Sequence, residues 1–474
     1  MGIQTQMALQ PALVRDKEYY IEDGNTVIQV ENVLFKVHRY ILSRDGSAFE
    51  GMFSLDGIPR SGSSESLASG HSHSHSPHYS HHSPSTEGLS DDSPIILSGD
   101  TASDFRALLW ALYASPAQVF AMPSSSAQLV RLISIARIAH KYAFRTTEAW
   151  ALTVLTMCVC QSGTQAPATP EGTAVTESMG FTLGFTDSSD PKASSTSILI
   201  QLTEVAVLCA HDELHEAVEP IWADLLFAGQ TKDIVSAMTI ADRYKAQLRP
   251  LLGLAYYLMM LKGKEEWTKC AVGYDDGDDE MDHGEGKTKG ESSNHRLTRD
   301  QRIRLLTGYY NLSRACDALP SSPPKLAHHP SCFLPAQQAQ ASIGLGGAGT
   351  AAAHAHARCG EAWEALWATL AMSTVANLRP VDAPMQIPII KIQSVDLLRK
   401  LHMVNYVLET LVSAEVDGAA TVAGNTALGG LGAVGMSYMS MTGNMNKNCL
   451  RMALKASEEK VNDVLYGLAD CFLE

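Results

Sequence analysis

The period of the apolar positions changes within the first part of the chain. Residues 27–30 and 33–37 form two β-branched and aromatic runs around Glu31-Asn32, which predicts two short strands joined by a tight turn. From Tyr40 to Phe53 the apolar positions recur every three to four residues, as on one face of a helix. This order predicts a β-hairpin followed by a helix that packs on it. Such a unit forms a fold and carries no chemistry of its own.

Similar patterns continue after residue 93. The apolar run at 94–97 predicts a third strand, and Thr101-Ala102-Ser103-Asp104 resembles the start of a capped helix. Apolar residues at helical spacing then predict two helices, which carry Phe105, Leu108, Leu109, Leu112 and Tyr113, and then Leu129, Leu132, Ile133, Ala136 and Ala139. Residues 58–93 consist largely of Ser, Gly, Pro and His, so we predict a disordered insertion there.

These residues resemble a known family, the BTB/POZ domain, in the form carried by many fungal proteins. The resemblance covers residues 17–160 and departs from the family pattern at the insertion 58–93. The signature and interaction residues that it implies are Asp23, Phe35, His38, Arg39, Leu42, Phe49, Met52 and Phe53. The resemblance implies an N-terminal fold with a short mixed sheet flanked by helices.

The same resemblance implies a non-catalytic protein-interaction module. BTB/POZ domains form homodimers or present a face to partners such as a cullin-3 ubiquitin ligase, so an adaptor role is one expectation. Dimerisation would bury apolar side chains from residues 19–21 and from the helix 40–53. Asp23 and Arg39 are the candidates for charged positions near the dimer groove. His38 is then expected to bridge the strand end to the following helix by hydrogen bonds, and the competing hypothesis makes it a ligand or base.

Helical periodicity dominates the chain after Ile198, so the predicted fold class is α+β. We expect Pro220 to break one helix and Pro250 to start or kink another. The predicted organisation is a tail at 1–16, a BTB/POZ-like domain at 17–160, a linker at 161–195, a helical region at 196–335, a low-complexity segment at 336–358, and a helical region at 359–474 with a Gly-rich loop at 415–447.

Composition limits the partners and the compartment. The formal net charge of −15 argues against non-specific binding to nucleic acid. No run has the roughly 18 strongly apolar residues of a membrane span, so no membrane partner is predicted. The nine cysteines lack framework spacing, and the first twenty residues lack the apolar core of a secretory signal. We therefore predict an intracellular protein of the cytoplasm or nucleus, without a cofactor.

Metal binding is the alternative function, as a metal-binding protein or a metal-dependent enzyme. The tract His71–His82 contains six histidines, which bind transition metals weakly but lack a fixed geometry in a disordered segment. His211 and His215 are spaced to share one helical face, as in zinc enzymes. However, Asp212 stands where the metalloprotease motif needs Glu, and no third ligand is evident. An exposed polar helix face is the competing interpretation.

Two His-x-x-Cys pairs form a further candidate. His329 with Cys332, and His356 with Cys359, could supply four ligands to a tetrahedral structural zinc. Such pairs also arise by chance in a chain with 17 His and 9 Cys, and the two cysteines could simply pack in a core. The sequence leaves both alternatives open.

Overall fold

The structure is a computed structural model that describes residues 12–55, 87–120, 126–164, 195–270, 296–332, 348–372, 395–416 and 445–473. The chain divides into two compact units, Met1–Leu225 and Leu226–Glu474, and each is described by itself. A four-stranded mixed sheet lies in the first unit, and the described chain after it is largely helical. The predicted fold class, α+β, is confirmed. The finer domain bounds stay predictions.

The sheet of the first unit is built around the predicted hairpin. Its strands are β1 (Val14–Tyr20), β2 (Thr26–Val30), β3 (Val33–Val37) and β4 (Ile95–Leu97), in the order β1-β3-β2-β4. β2 and β3 are antiparallel, whereas β1 runs parallel to β3 and β4 runs parallel to β2. The three predicted strands are confirmed. The sequence did not predict β1, because Val-Arg-Asp-Lys-Glu-Tyr-Tyr is too polar to show a strand pattern.

The helices of the first unit follow the predicted order. They are α1 (Arg39–Leu42), α2 (Ala48–Leu55), α3 (Ala102–Tyr113), α4 (Pro116–Phe120), α5 (Ser126–Lys141), α6 (Arg145–Thr164), α7 (Ser195–Leu208) and α8 (Asp212–Phe227), whose last residues pass the unit boundary. The predicted start of α3 is confirmed, since the Thr101 side chain accepts a hydrogen bond of 3.1 Å from the Asp104 amide.

Two predictions about helix continuity are wrong. The segment from Tyr40 to Phe53 is not one helix, because Asp45 and Gly46 have positive φ values of 66° and 68°. α1 therefore ends, and α2 begins again after a short 3-10 turn at Arg44–Gly46. Pro220 does not break a helix either, since α8 continues through it. Pro250 does lie in the first turn of a helix, as predicted.

The core of the first unit lies between one face of the hairpin and the helices. Ile28 and Val30 of β2 and Phe35 and Val37 of β3 are all 0% exposed, as expected for alternate positions on one sheet face. The Phe35 ring meets the Phe105 ring of α3 edge-on, with centroids 5.0 Å apart. The hairpin is therefore held by side-chain packing against α3 and its neighbours.

The second unit is a helical assembly. Its described residues form α9 (Thr231–Arg243), α10 (Arg249–Lys262), α11 (Lys264–Lys269), α12 (Arg299–Ala318), α13 (Ala348–Met372), α14 (Leu397–Val416) and α15 (Lys447–Leu473), with 3-10 turns at Leu319–Ser321 and Pro330–Cys332. α15 packs against α10, α12 and α14. The approach is close, because a Cβ added at Gly308 of α12 would lie 2.0 Å from the Phe472 ring.

A pair of glycine substitutions tests this close packing. Gly253→Ala in α10 should lower the free energy of unfolding by roughly 1–3 kcal/mol, because its Cβ would lie 2.6 Å from the Ala469 amide nitrogen. Gly467→Ala in α15 is the matched control, since nothing lies within 4 Å of that Cβ. It should raise stability by about 0.5–1 kcal/mol through helix propensity. Urea unfolding followed by circular dichroism measures both, and a change of the same sign in both variants would contradict the packing.

Candidate functional site

A hydrogen-bonded corner surrounds His38, at the end of β3. The His38 amide donates to the Tyr113 hydroxyl of α3 at 3.0 Å, and the His38 Nδ1 lies 3.0 Å from the same oxygen. The His38 Nε2 lies 3.4 Å from the Asp23 carboxylate. In the neutral tautomer that fits these contacts, Tyr113 donates to Nδ1 and the Nε2–H faces Asp23. His38 thus bridges the end of β3 to the following helix, as predicted, because its carbonyl accepts hydrogen bonds from the Ile41 and Leu42 amides of α1. Its amide and side chain also connect it to α3.

Arg39 has a structural position next to this corner. Its amide donates to the Asn25 side chain at 2.7 Å, and its guanidinium donates to the Phe53 carbonyl at 2.5 Å. The guanidinium also lies 4.2 Å from the centre of the Phe53 ring. Arg39 therefore connects the start of α1 to the end of α2. The placement of Asp23 and Arg39 near a dimer groove stays a prediction.

Most apolar residues of the signature belong to the core. Phe35, Leu42, Phe49 and Phe53 are 0%, 0%, 2% and 7% exposed, and Met52 packs against the same cluster. The segment 19–21, predicted to contribute to a dimer patch, is partly buried, and Tyr19 packs against Tyr113. These side chains therefore stabilise the fold and offer little apolar surface to a partner. Tyr40 is different, because it is 67% exposed.

Both edges of the sheet are protected against pairing with another strand. In β1, the buried Asp16 carboxylate accepts hydrogen bonds from the amides of Glu18 at 3.0 Å and Tyr19 at 2.9 Å. It also accepts from the Arg106 guanidinium at 2.6 Å. At the other edge, β4 has three residues. Short edge strands and occupied edge amides disfavour strand addition, so association through the sheet edge is not expected.

The Asp16 carboxylate makes the stability of the first unit depend on pH. Burial raises the pKa of Asp16, but the hydrogen bonds from Tyr19, Arg106 and Glu18 outweigh burial and hold that pKa below its usual value. A carboxylate with a lowered pKa in the folded state stabilises the protein above its unfolded-state pKa, and this contribution is lost as the pH falls through the folded-state pKa.

Asp16→Asn should therefore lower the free energy of unfolding by about 2 kcal/mol at pH 7. The difference from the unmodified chain should be complete above about pH 5 and should shrink below about pH 4, where free aspartate becomes protonated. Asp91→Asn is the control for the size of the loss. Asp91 accepts hydrogen bonds from Tyr20 and Arg15 at a more exposed position, so its substitution should cost less than about 1 kcal/mol. Urea unfolding at several pH values measures both, and a pH-independent loss in Asp16→Asn would contradict the assignment.

A cluster of metal-binding residue types lies in the second unit. His328, Cys332, Cys359 and Cys449 place their ligand atoms within 4.8 Å of one another. Each side chain comes from a different position: the coil before the 3-10 turn, the turn itself, α13, and the first turn of α15. Cys359 and Cys449 are 1% and 0% exposed. Four ligands of this kind around one point can bind a single metal ion.

This cluster differs from the one expected from the sequence. Cys332 and Cys359 are members, as predicted, but His328 takes the place expected for His329. The fourth ligand is Cys449, and the side chain of His356 lies outside the described residues. The sequence did not suggest Cys449, because it is distant along the chain from the other three and shares no motif with them. The neighbouring Asn446 amide donates to the Cys359 sulfur across a sequence separation of 87 residues.

The other candidate ligands have internal partners. His211 precedes α8, and its Nδ1 accepts a hydrogen bond of 3.1 Å from the Leu214 amide, as at a helix N-terminus. The hypothesis of two histidines on one continuous helix face is therefore wrong. In the described ranges, neither His211 nor His215 belongs to a group of three potential ligands. The tract His71–His82 lies outside the described residues.

Two further groups of polar side chains lie in the described ranges. His140, Glu148 and Cys209 lie together, with His140 Nδ1 2.8 Å from Glu148. Burial and the Glu148 carboxylate raise the pKa of the Cys209 thiol to about 12, so this thiol stays protonated at neutral pH. A polar depression in the second unit contains Asp242, which accepts hydrogen bonds from Tyr256 and Gln301 and pairs with Arg304. The acidic and basic side chains that line this depression balance one another in charge.

Comparison with known proteins gives no identity. No protein-family model, curated protein or solved structure matches this chain. Across the helices that the structure describes, none combines the length and apolar character needed to cross a membrane.

Proposed function

We propose that the first unit is a BTB/POZ-like module through which two copies of this chain associate. The family assignment rests on the sequence resemblance of residues 17–160. The fold is compatible with it, because a helix-covered sheet holds the apolar signature residues in or against its core. The proposed function is protein binding without catalysis.

One observation carries the proposal. In the signature stretch, the side chains that could act as a ligand or base make structural hydrogen bonds, and one aromatic side chain is exposed at the surface. His38 is bonded to Tyr113 and faces Asp23, whereas Tyr40 is 67% exposed beside them. Tyrosine is enriched among the residues that dominate protein–protein binding energy, because a large rigid ring is buried at little entropic cost.

The composition of this surface favours a second copy as the partner. We define the Tyr40 surface as Asp23, Tyr40 and Arg44, all of which are exposed. Arg44 lies four residues after Tyr40, in the 3-10 turn that follows α1. Asp23 lies 3.4 Å from the Nε2 of His38, whose ring lies 5.8 Å from the Tyr40 ring, centre to centre. A two-fold axis would place the same patch of both copies face to face, so that Asp23 of one copy could meet Arg44 of the other. A surface that carries an acid, a base and an aromatic side chain suits such self-complementary contact.

Substitutions at the Tyr40 surface test the proposal by sedimentation equilibrium of the full chain. Tyr40→Ala should weaken dimerisation at least about tenfold, because it removes the central ring. Tyr310→Ala is the control, since Tyr310 is a comparably exposed tyrosine of α12 at 60%. It should leave the dissociation constant unchanged.

A charge reversal sharpens the same test. Asp23→Lys should weaken dimerisation, and Asp23→Lys combined with Arg44→Asp should restore it, because the second change rebuilds the pair with opposite polarity. A strictly monomeric chain at micromolar concentration would refute the proposal. So would a dimer that is insensitive to Tyr40→Ala and to the charge reversal.

Binding to cullin-3, as a ubiquitin-ligase adaptor, is the finer expectation that follows from the resemblance. Co-elution of the full chain with cullin-3 on size-exclusion chromatography would support it. The Tyr40→Ala variant distinguishes dimerisation from cullin-3 binding. If this variant is monomeric and still binds cullin-3, the two associations use different surfaces.

A further inference from the structure

We propose that His328, Cys332, Cys359 and Cys449 bind one structural Zn²⁺ ion in the second unit. This site is independent of the proposed function, which concerns the first unit. Its role is to hold together segments that are distant in the chain.

The number and kind of ligands identify the ion and its role. Three thiolates and one imidazole form the Cys₃His set that binds tetrahedral zinc in structural sites. Soft thiolate ligands disfavour Ca²⁺ and Mg²⁺, which bind through oxygen. Because the protein supplies all four ligands, no coordination position remains for water or substrate. The set therefore fits a structural ion rather than a catalytic one.

The distances agree with a single ion at the centre. With Zn–S bonds of about 2.3 Å and a Zn–N bond of about 2.0–2.1 Å, tetrahedral geometry separates two sulfurs by about 3.8 Å and sulfur from nitrogen by about 3.6 Å. The Cys449 sulfur lies 3.8 Å from the His328 Nδ1, and all four ligand atoms lie within 4.8 Å of one another. Small side-chain adjustments bring the four atoms onto one ion.

Backbone amides donate hydrogen bonds to two sulfurs of the cluster. The Asn446 amide donates to the Cys359 sulfur at 3.2 Å, and the His329 amide donates to the Cys449 sulfur at 3.4 Å. Hydrogen bonds of this kind stabilise negative charge on metal-bound sulfur. Cys449 also lies in the first turn of α15, which Asn446 caps through a 2.9 Å bond to the Asn448 amide. The positive end of the helix dipole favours a thiolate at this position.

The connections of the cluster show what the ion would stabilise. The coil from Ser322 to His329 has no helix or strand of its own. It packs along α13, where the Trp363 indole donates to the Pro324 carbonyl at 2.9 Å. Zinc would join the end of this coil to both α13 and α15. Because the four ligands converge in the folded chain, the binding free energy of the ion contributes to folding.

Two alternatives use the same residues differently. A disulfide would consume two of the three sulfurs and would leave His328 and the third thiol without a role. Three reduced thiols could also pack as small apolar groups, but this does not explain the convergence of an imidazole on them. Both alternatives predict a second unit whose stability is independent of metal.

Metal analysis of the purified full chain distinguishes these possibilities. The histidines of the tract His71–His82 should first be changed to Ser, so that weak metal binding there does not add to the number of zinc ions measured per chain. This background should contain about one Zn²⁺ per chain after dialysis. Cys332→Ser and His328→Ala should lose the ion. His329→Ala is the matched control and should keep it, because His329 contributes a backbone amide rather than its imidazole.

Thermal unfolding supplies a measurement that does not depend on the number of zinc ions found per chain. Removal of zinc with a strong chelator should lower the unfolding midpoint of the second unit by about 10 °C. Adding Zn²⁺, but not Mg²⁺, should restore it. Co²⁺ in place of Zn²⁺ should give the visible absorption of a tetrahedral thiolate site, which His328→Ala abolishes and His329→Ala preserves.

Several results would overturn the proposal. The first is that the full chain, expressed with ample zinc, contains less than one zinc ion per molecule. The second is that His328→Ala keeps the zinc. The third is that mass spectrometry detects a disulfide among Cys332, Cys359 and Cys449. If Cys332→Ser does not fold, the comparison of His328→Ala with His329→Ala still tests the site, because these two variants remove the same imidazole group from adjacent positions. Loss of zinc would leave the dimerisation test of the first unit unaffected, so the two proposals fail independently.

Discussion

The first unit depends on covering one apolar face of a β-hairpin. A two-stranded hairpin is marginal in water by itself, and the face formed by Ile28, Val30, Phe35 and Val37 is fully buried. Each such side chain contributes about 1.5–3 kcal/mol when removed from water. The helices that cover the face supply the aromatic and aliphatic partners in this core. The break at Asp45–Gly46 serves the same packing, because it lets α1 and α2 each place apolar side chains in the core that covers the hairpin.

This constraint also separates structural residues from surface residues. The aromatic side chains of the signature lie in the core. Polar residues at the border of the core hold elements together: His38 contacts α3, Arg39 contacts α2, and Asp16 of β1 accepts hydrogen bonds from Arg106 of α3. Next to these residues, the Tyr40 side chain stays exposed. The residues on which a sequence resemblance rests can therefore be mainly structural.

The sequence predicted the features that depend on neighbouring residues. The hairpin follows from alternation, and the start of α3 follows from Thr101 and Asp104, which are three positions apart. The continuity of the segment 40–53 was mispredicted, because apolar spacing persists across a turn whose signal lies in Asp45 and Gly46. β1 was missed because its pairing with β3, rather than its composition, makes it a strand. Cys449 was missed for a related reason, since its partners are distant along the chain.

The central position of α15 has a consequence for how the second unit acquires its structure. α10, α12 and α14 all precede α15 in the chain, yet all pack on it, and the bond from Asn311 to the Cys471 carbonyl spans 160 residues. During synthesis these earlier helices would leave the ribosome with their apolar sides uncovered until α15 follows. Such long-range closure slows folding and prolongs the exposure of aggregation-prone surface. The second unit therefore cannot complete its helical packing until α15 has been synthesised.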